Sequence, residues 1–382
     1  MIDSKTFTSG IGVGTQPPLS RINLMARVGQ VTGFDVAWVI DHFMSFFPQV
    51  IWDTGFSWAA SEGSTPHAYF DYQAVMAYLA RKNVQIGVGV TEPIRRHPVL
   101  LAQFAMTLSH MAKKAPILGI GSGERENVEP YGLPFERPVS RLEEALQVIR
   151  ACFESKGPIK FEGEFYKLDR AIMDLRPKTG NEPQIWIAAH GPRMLRLTGQ
   201  YGDGWYPTLP MTPHEYENAY RQIQAHARRV QRDDSAIIAG WQAFTVIGKT
   251  EKHAREILDS PPVRLVSLLA PSYVWKSVGL EHPLGPDFRG MIDFVPPYYS
   301  RKQLEAAMAQ VRPELISKLI VWGTPDSIVA KMCDYQDAGL RHLVLSPASA
   351  LYSKRDALYS MRAAVSIQRR LRKRFANVSG SS

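Results

Sequence analysis

Little in this sequence points to a metal, a redox bridge or a membrane. Cysteine occurs twice, at Cys152 and Cys333, each inside a helix-spaced pattern and far from the other. That excludes a disulfide framework as the organising device, and both read as small core residues. No Cys/His grouping has the spacing of a metal site, so no metal is expected. No apolar run approaches the roughly 20 residues that span a bilayer, and the first residues lack a basic-then-apolar leader pattern. The expected location is therefore the cytoplasm. No Gly-x-Gly-x-x-Gly follows the first strand pattern, which removes the main support for a Rossmann-type nicotinamide site.

Negative charge is also in short supply: 45 Lys and Arg face 36 Asp and Glu, a formal net charge of +9. A disproportionate share lies between Lys354 and Arg374, which ends in Arg369-Arg-Leu-Arg-Lys-Arg374. Such a run can attract nucleic acid, an anionic membrane or an anionic ligand tail. The plainer reading is the solvated face of a terminal helix with Leu358, Met361, Val365 and Leu371 on its buried side. A nucleic-acid partner rests on this run alone and is not expected; peripheral membrane contact has no other support. The closing stretch from Asn377 to Ser382 reads as a frayed tail.

What is present is a rhythm. Hydrophobic content of 45% and charged content of 21% are those of a globular protein with a large core. Strand-like apolar runs lie at 7–13, 34–40, 84–90, 117–120, 184–189, 203–207, 237–247 and 341–345. Helical patterns lie between them, at 19–32, 71–81, 99–113, 138–153, 190–201, 213–232 and 325–338. The aromatic segment 44–67 reads as a loop over a site, and 158–170 as a small hairpin. Residues 249–318, rich in Pro, Gly and Tyr, read as an insertion within one domain, because the rhythm resumes after them. Eight strands alternating with helices favour a closed (β/α)8 TIM barrel over the competing doubly wound sheet.

In such a barrel the C-terminal ends of the strands meet on one face, which gathers His42, Thr91, Glu124, His190 and Thr208. The chain's central feature is Ile117-Leu-Gly-Ile-Gly-Ser-Gly-Glu124, an apolar run whose alternating glycines let a ligand approach the backbone before a carboxylate appears. Desolvated, Glu124 becomes a proton carrier; otherwise it is a helix-start carboxylate. His42 can accept or donate a proton near neutral pH, or simply cap a turn. Asp41 need not touch it, since neighbours on extended chain point opposite ways. Asn127 offers an amide to a carbonyl-rich ring. His190-Gly191-Pro192-Arg193 opens a helix whose free N–H groups suit a phosphate, less the donor that Pro192 lacks.

Ile40-Asp-His-Phe43, Gly119-Ile-Gly-Ser-Gly-Glu124 with Asn127, Ala188-Ala-His-Gly-Pro192 and Gly202-Asp-Gly-Trp205 resemble the luciferase-like flavin and deazaflavin oxidoreductases. Within them the chain is similar to the branch that uses the deazaflavin coenzyme F420. It is most similar to that branch's ketoreductases, through Glu129-Pro-Tyr-Gly132 and Glu281-His-Pro-Leu-Gly-Pro-Asp-Phe288 among other stretches. The resemblance implies a bacterial luciferase-like barrel, a homodimer and F420 as cofactor. It implies that Asp41, Gly89, Val90, Thr91, Ser122, Gly123, Asn127, His190 and Gly191 hold the cofactor, with a cis peptide bond at Gly89-Val90. His42 and Glu124 would be the proton carriers, and Phe46 and Thr208 would face the substrate. Phe46 stands where the sugar-phosphate dehydrogenases of the branch have tryptophan, and Met211 near their phosphate-holding lysine. Those departures, with an aromatic lining from Phe43, Phe46, Phe47, Trp52, Trp58, Tyr206 and Leu209, favour an apolar or lipid-like ketone or secondary alcohol over a phosphorylated sugar. The basic last helix would then meet the acidic tail of F420. FMN with oxygen chemistry is the alternative cofactor reading, and a non-catalytic barrel binding cofactor or lipid is the second alternative.

Overall fold

The computed structural model describes residues 6–63 and 65–379. Its strands in chain order are β1 (Thr8–Gly12), β2 (Val36–Val39), β3 (Gln85–Thr91), β4 (Ile117–Ile120), β5 (Ile159–Glu162), β6 (Lys167–Ala171), β7 (Gln184–Ile187), β8 (Gly204–Trp205), β9 (Ile238–Ile247), β10 (Val321–Gly323) and β11 (His342–Pro347). Eight of them run parallel in the order β1-β2-β3-β4-β7-β8-β9-β11, and the β11–β1 and β8–β9 pairings close the ring. Each of the eight ring strands is thus paired on both sides, which rules out the doubly wound alternative. β5 and β6 form the expected antiparallel hairpin.

Parallel strands covered on both faces read as continuous apolar runs, and β2 and β4 are buried at every residue. Val36, Trp38, Ile117, Trp186, Tyr206, Ile238 and Val344 form a cluster of their own, in which Trp38 stacks on Tyr206 at 4.5 Å. Glycine makes the room: a Cβ on Gly10 would stand 2.3 Å from the Trp38 ring, and one on Gly204 2.4 Å from Trp186. His342 lies beside this cluster, with Nδ1 2.8 Å from Thr8 Oγ1 and Nε2 accepting the Trp38 indole N–H at 3.1 Å. Burial pushes its pKa down to about 3, so it is a neutral structural residue.

The insertion at 249–318 has secondary structure of its own. It folds into short helices at Glu251–Leu258, Pro261–Leu268, Ser272–Lys276, Arg301–Met308 and Pro313–Leu319. Pro261 and Pro313 stand at first helical positions, where the missing N–H is no loss. These helices bury Trp275, Phe294 and Leu315 in a second apolar cluster shared with Ile51 and Val246. β10, too short to be read from sequence, pairs with the last residues of β9 outside the ring.

The terminal helix, Lys354–Ser379, carries through Asn377 instead of fraying there; residues 380–382 lie outside the described residues. Its buried stripe is Asp356, Ser360, Ala363, Ile367 and Leu371, whereas Leu358 is 54% exposed. Small and polar residues on the inner face had hidden that stripe. Arg370, Arg372 and Arg374 pair with Asp326, Asp35 and Asp337. Asp35 directly precedes β2, so this basic run docks at the N-terminal end of the barrel, away from the strand ends that carry the site. It is therefore not placed to receive a cofactor tail. Cys152 is buried and Cys333 half-buried. No helix among the described residues is long and apolar enough to cross a membrane.

Candidate active site

At the C-terminal ends of the strands lies a cavity of about 350 Å³. Its wall brings together His42, Thr91, Glu124, His190 and Thr208, and also Asp41, Phe46, Gly89, Val90, Ser122, Gly123 and Asn127. Gly191 is the exception. It stands at the start of the helix Pro192–Tyr201, outside the wall, with nothing within 4 Å of where its Cβ would be. The Gly89–Val90 peptide bond is cis, as the resemblance implied.

Asp41, two residues beyond the end of β2, is 5% exposed. Its Oδ2 accepts from the Thr91 hydroxyl at 2.6 Å and from Arg96 Nη1 at 2.8 Å, and forms an ion pair with Arg95 at 3.0 Å, whose Nη2 donates to the Asp41 carbonyl at 3.1 Å. Arg95 is itself held by Glu92. The Asp41 side chain is thus committed within the chain. Removing one partner of a buried ion pair strands the other. Here the loss is partial, since Arg95 keeps Glu92 and Arg96 keeps Asp71. Asp41→Ala is expected to lower stability by about 1–3 kcal/mol, the cost of buried donors left without their acceptor, seen as a lower urea midpoint at unchanged slope.

His42 is mostly buried and stands between two carboxyl groups. Nδ1 lies 2.9 Å from Glu126 Oε1 and 3.1 Å from the Met44 carbonyl, while Nε2 lies 3.9 Å from Glu124 Oε2. Phe46 packs edge-on to the imidazole at 5.2 Å. Glu124 leaves the short turn after β4 and keeps about a quarter of its side chain (27%) open to the cavity. Desolvation pushes its pKa from 4.5 to about 7, with His42 pulling the other way and Glu126 adding to the rise. Asn127 also lines the wall, but its amide is engaged: Oδ1 accepts the Phe43 N–H at 2.7 Å and Nδ2 donates to Glu126 Oε1 at 3.0 Å. His190 Nε2 accepts the Thr208 N–H at 3.3 Å, which places the expected substrate residue beside the expected cofactor residue.

Of the expected aromatic lining, Phe46, Phe47, Tyr206 and Leu209 reach the cavity. Phe43 lies under Arg95, Trp52 packs with Phe47 and Phe56, and Trp58 borders a separate smaller cleft. Met211 lies outside the wall, its carbonyl accepting the Tyr335 hydroxyl. The insertion adds Pro271, Arg289, Met291 and Ile292, and β9 adds Gln242 and Phe244. Asp293 ties the insertion to the turn after β4, pairing with Arg289 at 2.6 Å and Arg125 at 3.1 Å. Sequence reasoning missed Glu126, Arg95 and these insertion residues. For Glu126 a signal existed, since it repeats the carboxylate of Glu124 two residues on.

Residues 4–342 match the luciferase-like monooxygenase family. The chain belongs to that family. It is 35% identical over 333 residues to a Mycobacterium kansasii protein named phthiodiolone/phenolphthiodiolone dimycocerosates ketoreductase, covering 86% of this chain and 90% of the relative. Among solved structures, an F420-dependent secondary alcohol dehydrogenase in complex with an F420-acetone adduct superposes with a TM-score of 0.69 at 22% identity, covering 90% of this chain and 94% of the other. A riboflavin lyase with modified FMN superposes at 0.68 with 13% identity, covering 96% and 92%. At those identities the structures speak for the fold. The chain is an oxidoreductase of the luciferase-like family on a closed barrel.

Proposed function

We propose that this luciferase-like oxidoreductase transfers a hydride between the deazaflavin coenzyme F420 and an apolar ketone or the matching secondary alcohol. The observation that carries the reading is the His42–Glu124 pair, 3.9 Å apart and turned into a cavity otherwise lined by Phe46, Phe47, Leu209, Phe244 and Met291. Ketone reduction needs a proton for the developing alkoxide, and alcohol oxidation needs a group to remove one. A carboxyl group with a pKa near 7 beside an imidazole meets both needs. The mycobacterial relative named as a ketoreductase supports the same reaction class.

When bound, F420 supplies the hydride chemistry. The residues that would hold it are Gly89, Val90, Thr91, Ser122 and Gly123 along one wall, with His190 and Gly191 toward its phosphate. The open backbone at Gly191, at the start of a ten-residue helix, fits an anionic group. Asp41 and Asn127 contribute by fixing Thr91, Arg95 and Glu126 around it. The cations in the wall, Arg95 and Arg289, are paired with Asp41, Glu92 and Asp293. Each of the two thus has a carboxylate partner, although Arg95 Nη1 keeps no hydrogen-bond acceptor, and this pairing favours an apolar, lipid-like substrate over a phosphorylated sugar.

Titration of the purified protein with oxidised F420 and, separately, FMN tests this directly through ligand fluorescence. The expected result is tight F420 binding, no FMN binding, and oxidation of reduced F420 on adding a ketone. FMN preference would turn the reading to oxygen chemistry, which the FMN-bound structural neighbour keeps in view. Binding of neither would leave a non-catalytic barrel.

A further inference from the structure

Glu126 is a carboxyl group with no exposed surface, and the reading above gives it no work. The basic group nearest to it is His42, and its Oε2 meets no hydrogen-bond partner at all. Burial holds the carboxyl well above the usual carboxylate range, against the pull of Asn127 and Arg95. An apolar residue of similar size would avoid that cost.

The surroundings say what this carboxyl does. The Phe43 N–H fixes the Asn127 amide with its oxygen toward the backbone, so the amide NH2 points at Glu126 Oε1. Oε1 is thereby held 2.9 Å from His42 Nδ1. Nδ1 also faces the Met44 carbonyl at 3.1 Å, which can only accept, and the Asn127 amide NH2 at 3.1 Å, which can only donate and has Glu126 Oε1 as its nearer acceptor at 3.0 Å. Glu126 Oε1 engages that amide and joins the Met44 carbonyl as a second acceptor beside Nδ1, so Nδ1 carries the hydrogen, and Nε2 is the nitrogen turned toward Glu124 and the cavity. The three side chains bring ligand atoms close together, yet the two carboxyl groups meet different ring nitrogens, so they do not form one metal site. Nor is Glu126 a proton relay, because it has no surface from which to exchange a proton.

We propose that Glu126 is the positioning residue of this site: it holds the hydrogen of His42 on Nδ1 and fixes the ring plane, so that Nε2 is the nitrogen that exchanges a proton with the substrate. The proposal rests on His42 being that exchanger. Glu126 never touches the substrate; it acts through the imidazole.

The test uses the full chain labelled with 15N-histidine and free of ligand. Two-bond 1H–15N correlations report which ring nitrogen carries hydrogen, and the His42→Asn variant assigns the signal. The expected wild-type spectrum at pH 8 shows neutral His42 protonated on Nδ1. Glu126→Leu is expected to give mixed tautomers at an unchanged or higher thermal midpoint, since the unpartnered Oε2 is gone. With reduced F420 and a ketone, that variant should lose kcat by about 10–100-fold at unchanged F420 affinity, the range for removing an outer partner of a functional histidine. Glu126→Gln keeps an acceptor at Oε1 and should recover most of that rate. A wild-type ring protonated on Nε2, or an unchanged ring and kcat in Glu126→Leu, would overturn the proposal. So would a lower midpoint with activity lost only in step with the folded fraction. If F420 turnover itself is absent, the hydride reading fails, while the ring spectrum still decides the role of Glu126.

Discussion

His42→Asn is expected to lower kcat for ketone reduction by about 10³-fold while the F420 dissociation constant stays within about threefold, because a positioned proton carrier contributes about 10²–10⁴-fold to rate. Asparagine is close in size to the inner half of the imidazole and leaves the packing against Phe46 mostly filled. It has no atom where Nε2 stands, so the group 3.9 Å from Glu124 is removed and little else. An interaction made only in the transition state lowers kcat and kcat/KM together, whereas lost ground-state binding raises KM alone. Steady-state kinetics with reduced F420 and a series of apolar ketones separate the two. A change confined to KM would make His42 a binding residue and leave the proton to Glu124.

Glu124→Gln has its largest effect on pH dependence. With a pKa of about 7, Glu124 is a proton donor below that value and a proton acceptor above it. Wild-type ketone reduction should therefore fall as pH rises through about 7, and alcohol oxidation should rise through the same range. Glutamine cannot titrate. The variant should lose that limb in both directions and run about 10²-fold slower at its best pH, as expected when a general acid–base group is removed. Retention of the limb would assign it to another group. The linkage has a definite sign as well. A folded-state value raised from 4.5 to about 7 means that stability is fully present below 4.5 and is lost as pH rises through about 7. The stability of Glu124→Gln relative to wild type should accordingly grow between those values, which urea midpoints at pH 4.5 and pH 8 would read.

Much of this site was legible before any coordinates, because strand ends in a parallel barrel converge by topology. His42, Thr91, Glu124, His190 and Thr208 lie far apart in sequence, yet each follows an apolar run, and that alone placed them on one wall. The aromatic residues were less legible. Phe46 and Trp52 belong to one loop, but the first faces the cavity and the second packs with Phe56, a choice made by local chain direction. The insertion was legible as a break in the rhythm but not in its helices, because Pro261 and Pro313 stand at first helical positions, where proline is tolerated.

The sequence by itself determined the barrel, its family and the strand-end residues of the wall, Gly191 apart, since burial on both faces of parallel strands writes continuous apolar runs that end at one face of the barrel. Only the tertiary structure decided the partners. It gave Asp41 to Thr91, Arg95 and Arg96, sent the terminal arginines to the opposite end of the barrel, and set Glu126 against Nδ1 of His42 with Glu124 on the Nε2 side. Hydrogen bonds and ion pairs depend on ångström distances between groups remote in sequence, and periodicity carries no record of those distances.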